Sequence, residues 1–304
     1  MSENSSSQFF AHLRLHTEFS ISDGLVTISP LINRLQKFRM PAAAITDLAN
    51  LFGLIKFYSS AVKAGIKPVC GCDLLIKDEA GAHTRLVLLV KDHAGYLNLT
   101  NVISDLYTDS PNHGEPVLAM SKLAGRTEGL IALSGAQQSN IGTALLAEDQ
   151  TRARQLLEQW LALFPGSFYL ELQRVGKIDE HQYIDGVITL AQEAQCPVVA
   201  TNDVRFIDQE DFDAHEVRVC INERRTLNDP RRPHNYTDQQ YLKSAEEMTE
   251  LFADIPEAIQ NAWEIVKRCS LDLELGKPHL PNYPIPENIA LEDYLSAESS
   301  KGLQ

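Results

Sequence analysis

His12, Arg14 and His16 recur at every second position of Ala11-His12-Leu13-Arg14-Leu15-His16-Thr17, and Asp23-Gly24 follows after a short turn. Side chains two apart in a strand point the same way, so two imidazoles and a guanidinium would share one face. Such a face suits the mouth of a polar site, not an apolar core. Further along, acids lie in or just beyond other short apolar runs: Asp47 after residues 42–46, Asp73 within Pro68–Ile76, and Asp203 after Val198–Thr201, with Arg205 two residues on. Carboxylates and an imidazole brought from separate strands to one rim could hold two or three divalent ions and hydrolyse a phosphate ester. Taken singly, an Asp after a strand more often caps a helix or closes a turn. The set is more suggestive than its members.

The elements that must position these residues are legible as period-2 and period-3.6 patterns. After a first strand over 11–17, Ser29-Pro30 reads as N-cap and first residue of a helix with Leu31, Ile32, Leu35 and Phe38 on one face. A second strand covers Ala42–Thr46. Asn50 is expected to cap a helix carrying Leu51, Leu54, Ile55, Tyr58 and Val62, stopped by Gly65. Pro68–Ile76, Leu86–Val90, Leu130–Leu133, Phe168–Leu172 and Val198–Thr201 complete seven strands, with helical patterns between most of them. Beyond Asp208 the pattern is helical, with a capping box at Ser244-Ala245-Glu246-Glu247 and a helix opened by Pro256. No hairpin signal separates the strands. The alternation predicts an α/β fold with a parallel sheet and helices outside it, and the rhythm suits a barrel. In a parallel barrel, chemistry gathers at the C-terminal strand ends. The reading gives a disordered start over residues 1–8 and a domain over 9–275. From Gly276 a linker follows with Pro278, Pro281, Pro284 and Pro286, then a helix over Leu291–Gln304.

Composition narrows the classes. The formal net charge is −14, and gripping a nucleic-acid backbone takes clustered Lys and Arg. Arg224-Arg225 and Arg231-Arg232 are short basic pairs, read as solvated loop charges, so little direct DNA binding is expected. No apolar run would span a bilayer and the polar start is no signal peptide, which predicts no membrane partner and a cytoplasmic address. The five cysteines read as reduced, buried thiols. No Walker loop, dinucleotide fingerprint, nucleophile elbow or zinc-finger spacing offers a competing chemistry.

At these residues the sequence resembles the polymerase and histidinol phosphatase (PHP) domain, in the form found at the amino terminus of bacterial replicative DNA polymerase III alpha subunits. The resemblance rests on His12–Ser20 with Asp23-Gly24, Ala44–Asp47, Asn50–Gly53, Ala64–Pro68, Gly95–Leu99, Leu133–Gly135, Val199–Phe206 with Asp213–His215, and Leu251–Ala258. It implies a distorted seven-stranded β/α (TIM-like) barrel, followed by the start of a truncated palm domain. It implies a multinuclear metal site in active members and, residue by residue, a degenerate one here. His16, Asp23, Asp73 and Asp203 stand at ligand positions, whereas Arg14, Leu48, Arg85, Tyr107, Ala136 and Arg205 replace ligands. Arginine is always cationic and cannot ligate a metal, so the resemblance implies carboxylates paired to guanidinium groups and a catalytically silent scaffold. No cofactor is expected in this chain. The alternative is a phosphoesterase or 3′–5′ exonuclease that keeps Zn2+, Mn2+ or Mg2+ on the four residual ligands. His83 and His93 are read as loop histidines that do not restore the missing ligands. The implied partners are a proofreading exonuclease (epsilon) subunit and the polymerase core of the same chain with its Mg2+. Through other parts of the holoenzyme they extend to a sliding clamp and clamp loader.

Overall fold

The structure is a computed structural model that describes residues 9–78, 81–109, 116–278, 280, 283–286 and 289–303. The expected disordered start over residues 1–8 lies outside the described residues, as do Pro281 and Gln304. The chain divides into two units, Met1–Leu271 and Asp272–Gln304.

The first unit is built on strands β1 (Ala42–Ile45), β2 (Lys67–Lys77), β3 (His83–Val90), β4 (Leu118–Ala119), β5 (Leu130–Leu133), β6 (Phe168–Gln173) and β7 (Val198–Thr201). They form one curled sheet in the order β1-β2-β3-β5-β6-β7, with β4 beside β2. Helices α1 (Ile28–Lys37), α2 (Leu54–Lys63), α3 (His93–Asp109), α4 (Asn140–Leu146), α5 (Gln150–Leu163) and α6 (Glu180–Ala194) connect them. After β7 come α7 (Phe212–Glu223), α8 (Ala245–Leu251) and α9 (Pro256–Arg268). Every residue of β5, and Leu86 to Val90 of β3, is buried, as expected of strands covered on both faces. Each such Leu, Ile or Val side chain contributes about 1.5–3 kcal/mol relative to exposure. Trp160 of α5 stacks on Phe168 of β6, with centroids 6.0 Å apart, and its indole N–H donates to Asn140 Oδ1 at 3.2 Å. The five cysteines are buried free thiols, and burial pushes those of Cys70, Cys196 and Cys269 up to about 12.

The mixed α/β barrel-like expectation holds, with one correction to the sheet. It is not all parallel: β2 and β3 form an antiparallel hairpin, from Gly71↔Leu89 to Lys77↔His83, and β3 is antiparallel to β5 as well. The turn chemistry is Asp78 with Gly81. Asp78 Oδ1 accepts the Ala82 N–H at 2.8 Å, and Gly81 takes φ 87°, a conformation that favours glycine.

Residues 12–17 are not a regular strand. They bridge the two ends of the sheet instead. His12 and Leu15 carbonyls accept the Ala44 and Thr46 N–H groups at 2.8 and 2.9 Å on the β1 side. On the β7 side, His16 N–H donates to Val204 O at 2.9 Å and Val204 N–H to Arg14 O at 3.2 Å. Pairing passes from Leu15↔Val204 to Thr17↔Val26 within two residues, too briefly for a ladder. Asp23-Gly24 has a packing reason here: a Cβ on Gly24 would lie 2.6 Å from both the His16 and the Thr17 carbonyl oxygens.

Other boundaries moved. Helix α1 begins at Ile28, one residue before Ser29, with Thr27 as its N-cap. Asn50 does not cap α2. Its amide donates to the Phe19 and Leu48 carbonyls and its Oδ1 accepts the Phe52 N–H, which ties down the loop ahead of the helix. His83 opens β3 and His93 opens α3, so neither is a loop residue, and both are exposed. The short strand β4 went unforeseen.

The second unit holds helix α10 (Leu291–Gly302), none of whose residues is buried, and the Tyr283 and Tyr294 rings lie 6.0 Å apart. Among the described residues, no helix is long and apolar enough to cross a membrane.

Candidate functional site

Arg14 is 1% exposed and reaches three carboxylates. Its Nη2 donates to Asp73 Oδ2 at 2.7 Å and its Nη1 to Glu171 Oε2 at 3.1 Å. Its Nε lies 3.1 Å from Asp203 Oδ1 without the alignment of a hydrogen bond. Burial works against the guanidinium charge, but Asp203, Asp73 and Glu171 outweigh it and hold Arg14 well above its ordinary value. Arg205, 3% exposed, is the second cation. Its Nη2 donates to Asp203 Oδ1 at 2.7 Å, and its Nη1 donates to the Asp23 side chain and to the Asp23 carbonyl.

His16 lies between these pairs. Its Nε2 is 3.1 Å from Asp73 Oδ2, and its Nδ1 is 3.1 Å from Asp23 Oδ2 and 2.6 Å from Arg205 Nη1. Burial and Arg205 oppose its charged form, but hydrogen bonds with Asp23 and Asp73 outweigh them and raise its pKa. For the acids the balance runs the other way. Burial alone would raise Asp23, Asp73 and Asp203, yet the neighbouring guanidinium groups hold all three well below the usual carboxylate range. The backbone at Asp203 adopts a left-handed φ of 48°, in the short link from β7 to the Val204 bridge.

Several cluster members carry no motif. Glu171, wholly buried in β6, also accepts the Gly135 N–H at 3.0 Å and the Gln173 amide at 3.0 Å. Gly135 has φ 84°, and a Cβ there would sit 2.4 Å from the Arg85 carbonyl oxygen, a physical reason for glycine in Leu133-Ser134-Gly135. Gln240 donates to Asp203 Oδ2 at 2.8 Å, Tyr236 O–H donates to Asp23 Oδ1, and Lys177 Nζ lies 3.9 Å from Asp203 Oδ2.

Other sequence candidates fall elsewhere. His12 does not join the cluster: its Nε2 pairs with the Lys243 carbonyl at 2.8 Å, and burial keeps it neutral with a pKa lowered to about 4. Asp47 closes a turn, accepting the Thr17 N–H and the Ser20 hydroxyl, each at 2.6 Å. Leu48 and half-buried Arg85 line a cleft beside Asp23, together with Tyr107. Ala136 is buried at the start of a 3-10 turn with φ 52°.

A family model for the PHP domain matches residues 12–175, more than half of the chain. The chain belongs to the PHP domain family. It is also 48% identical to the DNA polymerase III subunit alpha of Pseudomonas aeruginosa over 297 residues, 97% of this chain and 25% of that protein. With the subunit alpha of Escherichia coli the identity is 44% over 300 residues, 97% of this chain and 26% of that protein. The chain thus spans about a quarter of the length of these relatives. Among solved structures, an amidohydrolase from Chromobacterium violaceum is similar at 13% identity with a TM-score of 0.45, covering 64% of this chain and 87% of that one.

The PHP residues present here do not suit a multinuclear metal centre. Of the eight carboxylate oxygens of Asp23, Asp73, Glu171 and Asp203, Asp73 Oδ1 alone lacks a hydrogen-bond or ion-pair partner among the described residues. Two permanently cationic groups stand within hydrogen-bond distance of those carboxylates, and a divalent ion placed there would meet both at low dielectric. Among the described residues, no group of three or more His, Cys, Asp or Glu could hold a metal ion.

Proposed function

We propose that this chain is the PHP domain of a DNA polymerase III alpha subunit whose metal seats have passed to guanidinium groups. It acts as a structural scaffold without phosphoesterase activity and docks a separate proofreading exonuclease (epsilon) subunit. The observation that carries this reading is the placement of Arg14 within 3.1 Å of Asp73, Glu171 and Asp203. The names and identities of the relatives support the assignment to the alpha subunit. Polymerase activity with Mg2+, and contacts with the sliding clamp and clamp loader, then belong to the rest of a longer protein. Residues 276–304 are the linker and first segment of its palm domain, and the working compartment is the cytoplasm.

The test uses chain purified without chelator. A stable complex with the exonuclease subunit is expected at micromolar concentrations, with no hydrolysis of nitrophenyl phosphate after Zn2+, Mn2+ or Mg2+ is added. Hydrolysis abolished by Asp203→Ala would establish the residual-ligand enzyme instead. Absence of any complex would remove the docking role.

A further inference from the structure

Helix α7 is apolar on two sides. Its inner side seats His215, Val219 and Cys220, all buried. The His215 and Tyr236 rings lie 4.7 Å apart, Tyr236 is bonded to Asp23, and Arg218 Nη1 donates to the Gly24 carbonyl at 3.1 Å. The helix is thus tied to the turn that the ion-paired cluster holds. Its outer side leaves Ile221 73% exposed, and Val217, one turn earlier, is exposed as well. Residues four apart share a helix face, so the two form one apolar strip. Leu227, in the loop that follows, is a third exposed apolar side chain.

The charge beside this strip sets the sign of its occupant. Over residues 216–232, five arginines stand against three acids, in a chain of net charge −14. Arg232 pairs with Glu216. Arg225 and Arg231 share Asp229, at 3.5 and 3.3 Å, and Arg225 also reaches Glu223 at 3.8 Å. Arg225 Nη1 donates to the Arg231 carbonyl at 3.0 Å, which braces the loop. Arg224, exposed just past the end of α7, makes no side-chain ion pair or hydrogen bond among the described residues. Its φ of 54° is left-handed, at a helix end where glycine is the usual residue. Backbone preference alone favours glycine there, and an unpaired guanidinium stands in its place. Arg224, Arg225 and Arg231 line one surface pocket of about 260 Å3 with Glu223 and Asp229.

A phosphate backbone would use the arginines but leave Val217, Ile221 and Leu227 in water. A polypeptide uses both kinds of surface. We infer that the outer face of α7 and the loop after it dock a polypeptide segment whose apolar side chains are flanked by carboxylates. The inference rests on the exonuclease-docking reading and assigns the surface through which that docking occurs. Ile221 and Val217 are the apolar anchor. Arg224 is the carboxylate contact, a role that suits a planar fork of N–H donors. The ties from α7 to the Asp23 turn preorganise the face, so little ordering is lost on binding. Affinity weakens as salt is raised.

The test is a calorimetric titration of purified exonuclease subunit from the same organism into this chain. Ile221→Asp changes an exposed position, so an unchanged melting temperature certifies its fold, and it is expected to weaken binding about ten-fold or more. Arg224→Gly is expected to melt no lower than the parent, because glycine relieves the left-handed backbone. It is nevertheless expected to bind several-fold more weakly, with a flatter salt dependence. A merely structural Arg224 would give the reverse, a lower melting temperature with parent-like binding. Val62→Asp, at the far end of α2 and also exposed, is expected to bind as the parent does. Parent-like binding by both Ile221→Asp and Arg224→Gly would overturn the surface while leaving the docking role intact. So would a single-stranded DNA oligonucleotide that binds the parent and is lost in Arg224→Gly while exonuclease binding stays unchanged. Failure of the unmodified chain to bind the exonuclease subunit would remove both the surface and the docking role.

Discussion

Replacing Arg14 with alanine lowers the stability of the first unit by about 3–5 kcal/mol, the usual cost of removing one partner from a buried ion pair. The reason lies in what remains. Asp73, Glu171 and Asp203 are each at most 1% exposed, and without the guanidinium their charges repel in a medium that screens poorly. A unit of this size loses roughly 2–4 °C of melting temperature per kcal/mol, so thermal denaturation of Arg14→Ala should shift down by about 10 °C. Arg14→Lys recovers only part of the loss, because a single ammonium cannot present the planar fork that meets several carboxylates. A melting temperature within 2 °C of the parent (roughly 1 kcal/mol by the same scaling) would mean that these contacts contribute little.

Acid destabilises the fold in two stages of the same sign. His12 and His215 have pKa values lowered to about 4, in each case chiefly by burial. A group whose folded pKa is depressed contributes stability that is present above its unfolded value and lost as pH falls towards the folded one. The first stage therefore runs from the ordinary histidine value of 6.5 down to about 4 and amounts to roughly 3 kcal/mol for His12. The second begins below the ordinary carboxylate value of 3.8 and comes from Asp23, Asp73 and Asp203, whose folded values all lie lower. His16 works in the opposite sense. Its raised pKa gives stability that is full below 6.5 and is lost as pH rises through the folded value. Urea midpoints measured from pH 8 to pH 3 should fall on the acid side, with His12→Asn removing part of the first stage. A midpoint that stays flat between pH 6.5 and 4 would contradict the assignment of buried neutral imidazoles.

Much of this architecture is legible in the amino-acid pattern, and each miss has a cause. Short apolar runs announced β1, β5, β6 and β7 because buried strands tolerate little else. The β2–β3 hairpin escaped because Asp78 and Gly81 lack the two-residue turn signature that marks tight hairpins. Asn50 has the residue type of an N-cap, but its side chain satisfies the loop ahead of α2 instead. Within the site, Arg14, His16, Asp23, Asp73 and Asp203 were visible through their spacing. Glu171 was not, although it left a trace: an acid between Leu170 and Leu172 in an otherwise buried strand requires a cation, and Arg14 is that cation. Tyr236 and Gln240 left none. They come from the nonperiodic stretch between α7 and α8, where no repeat fixes which side chain turns inward.

Crystals of this chain grown in millimolar Zn2+ or Mn2+, with anomalous scattering recorded at the metal edge, test the central claim most directly. The expected map places Arg14 and Arg205 in contact with Asp23, Asp73, Glu171 and Asp203, with no anomalous peak at coordination distance from His16 or these acids. Two or more strong peaks bridged by His16, Asp23, Asp73 and Asp203, with both guanidinium groups turned away, would contradict it.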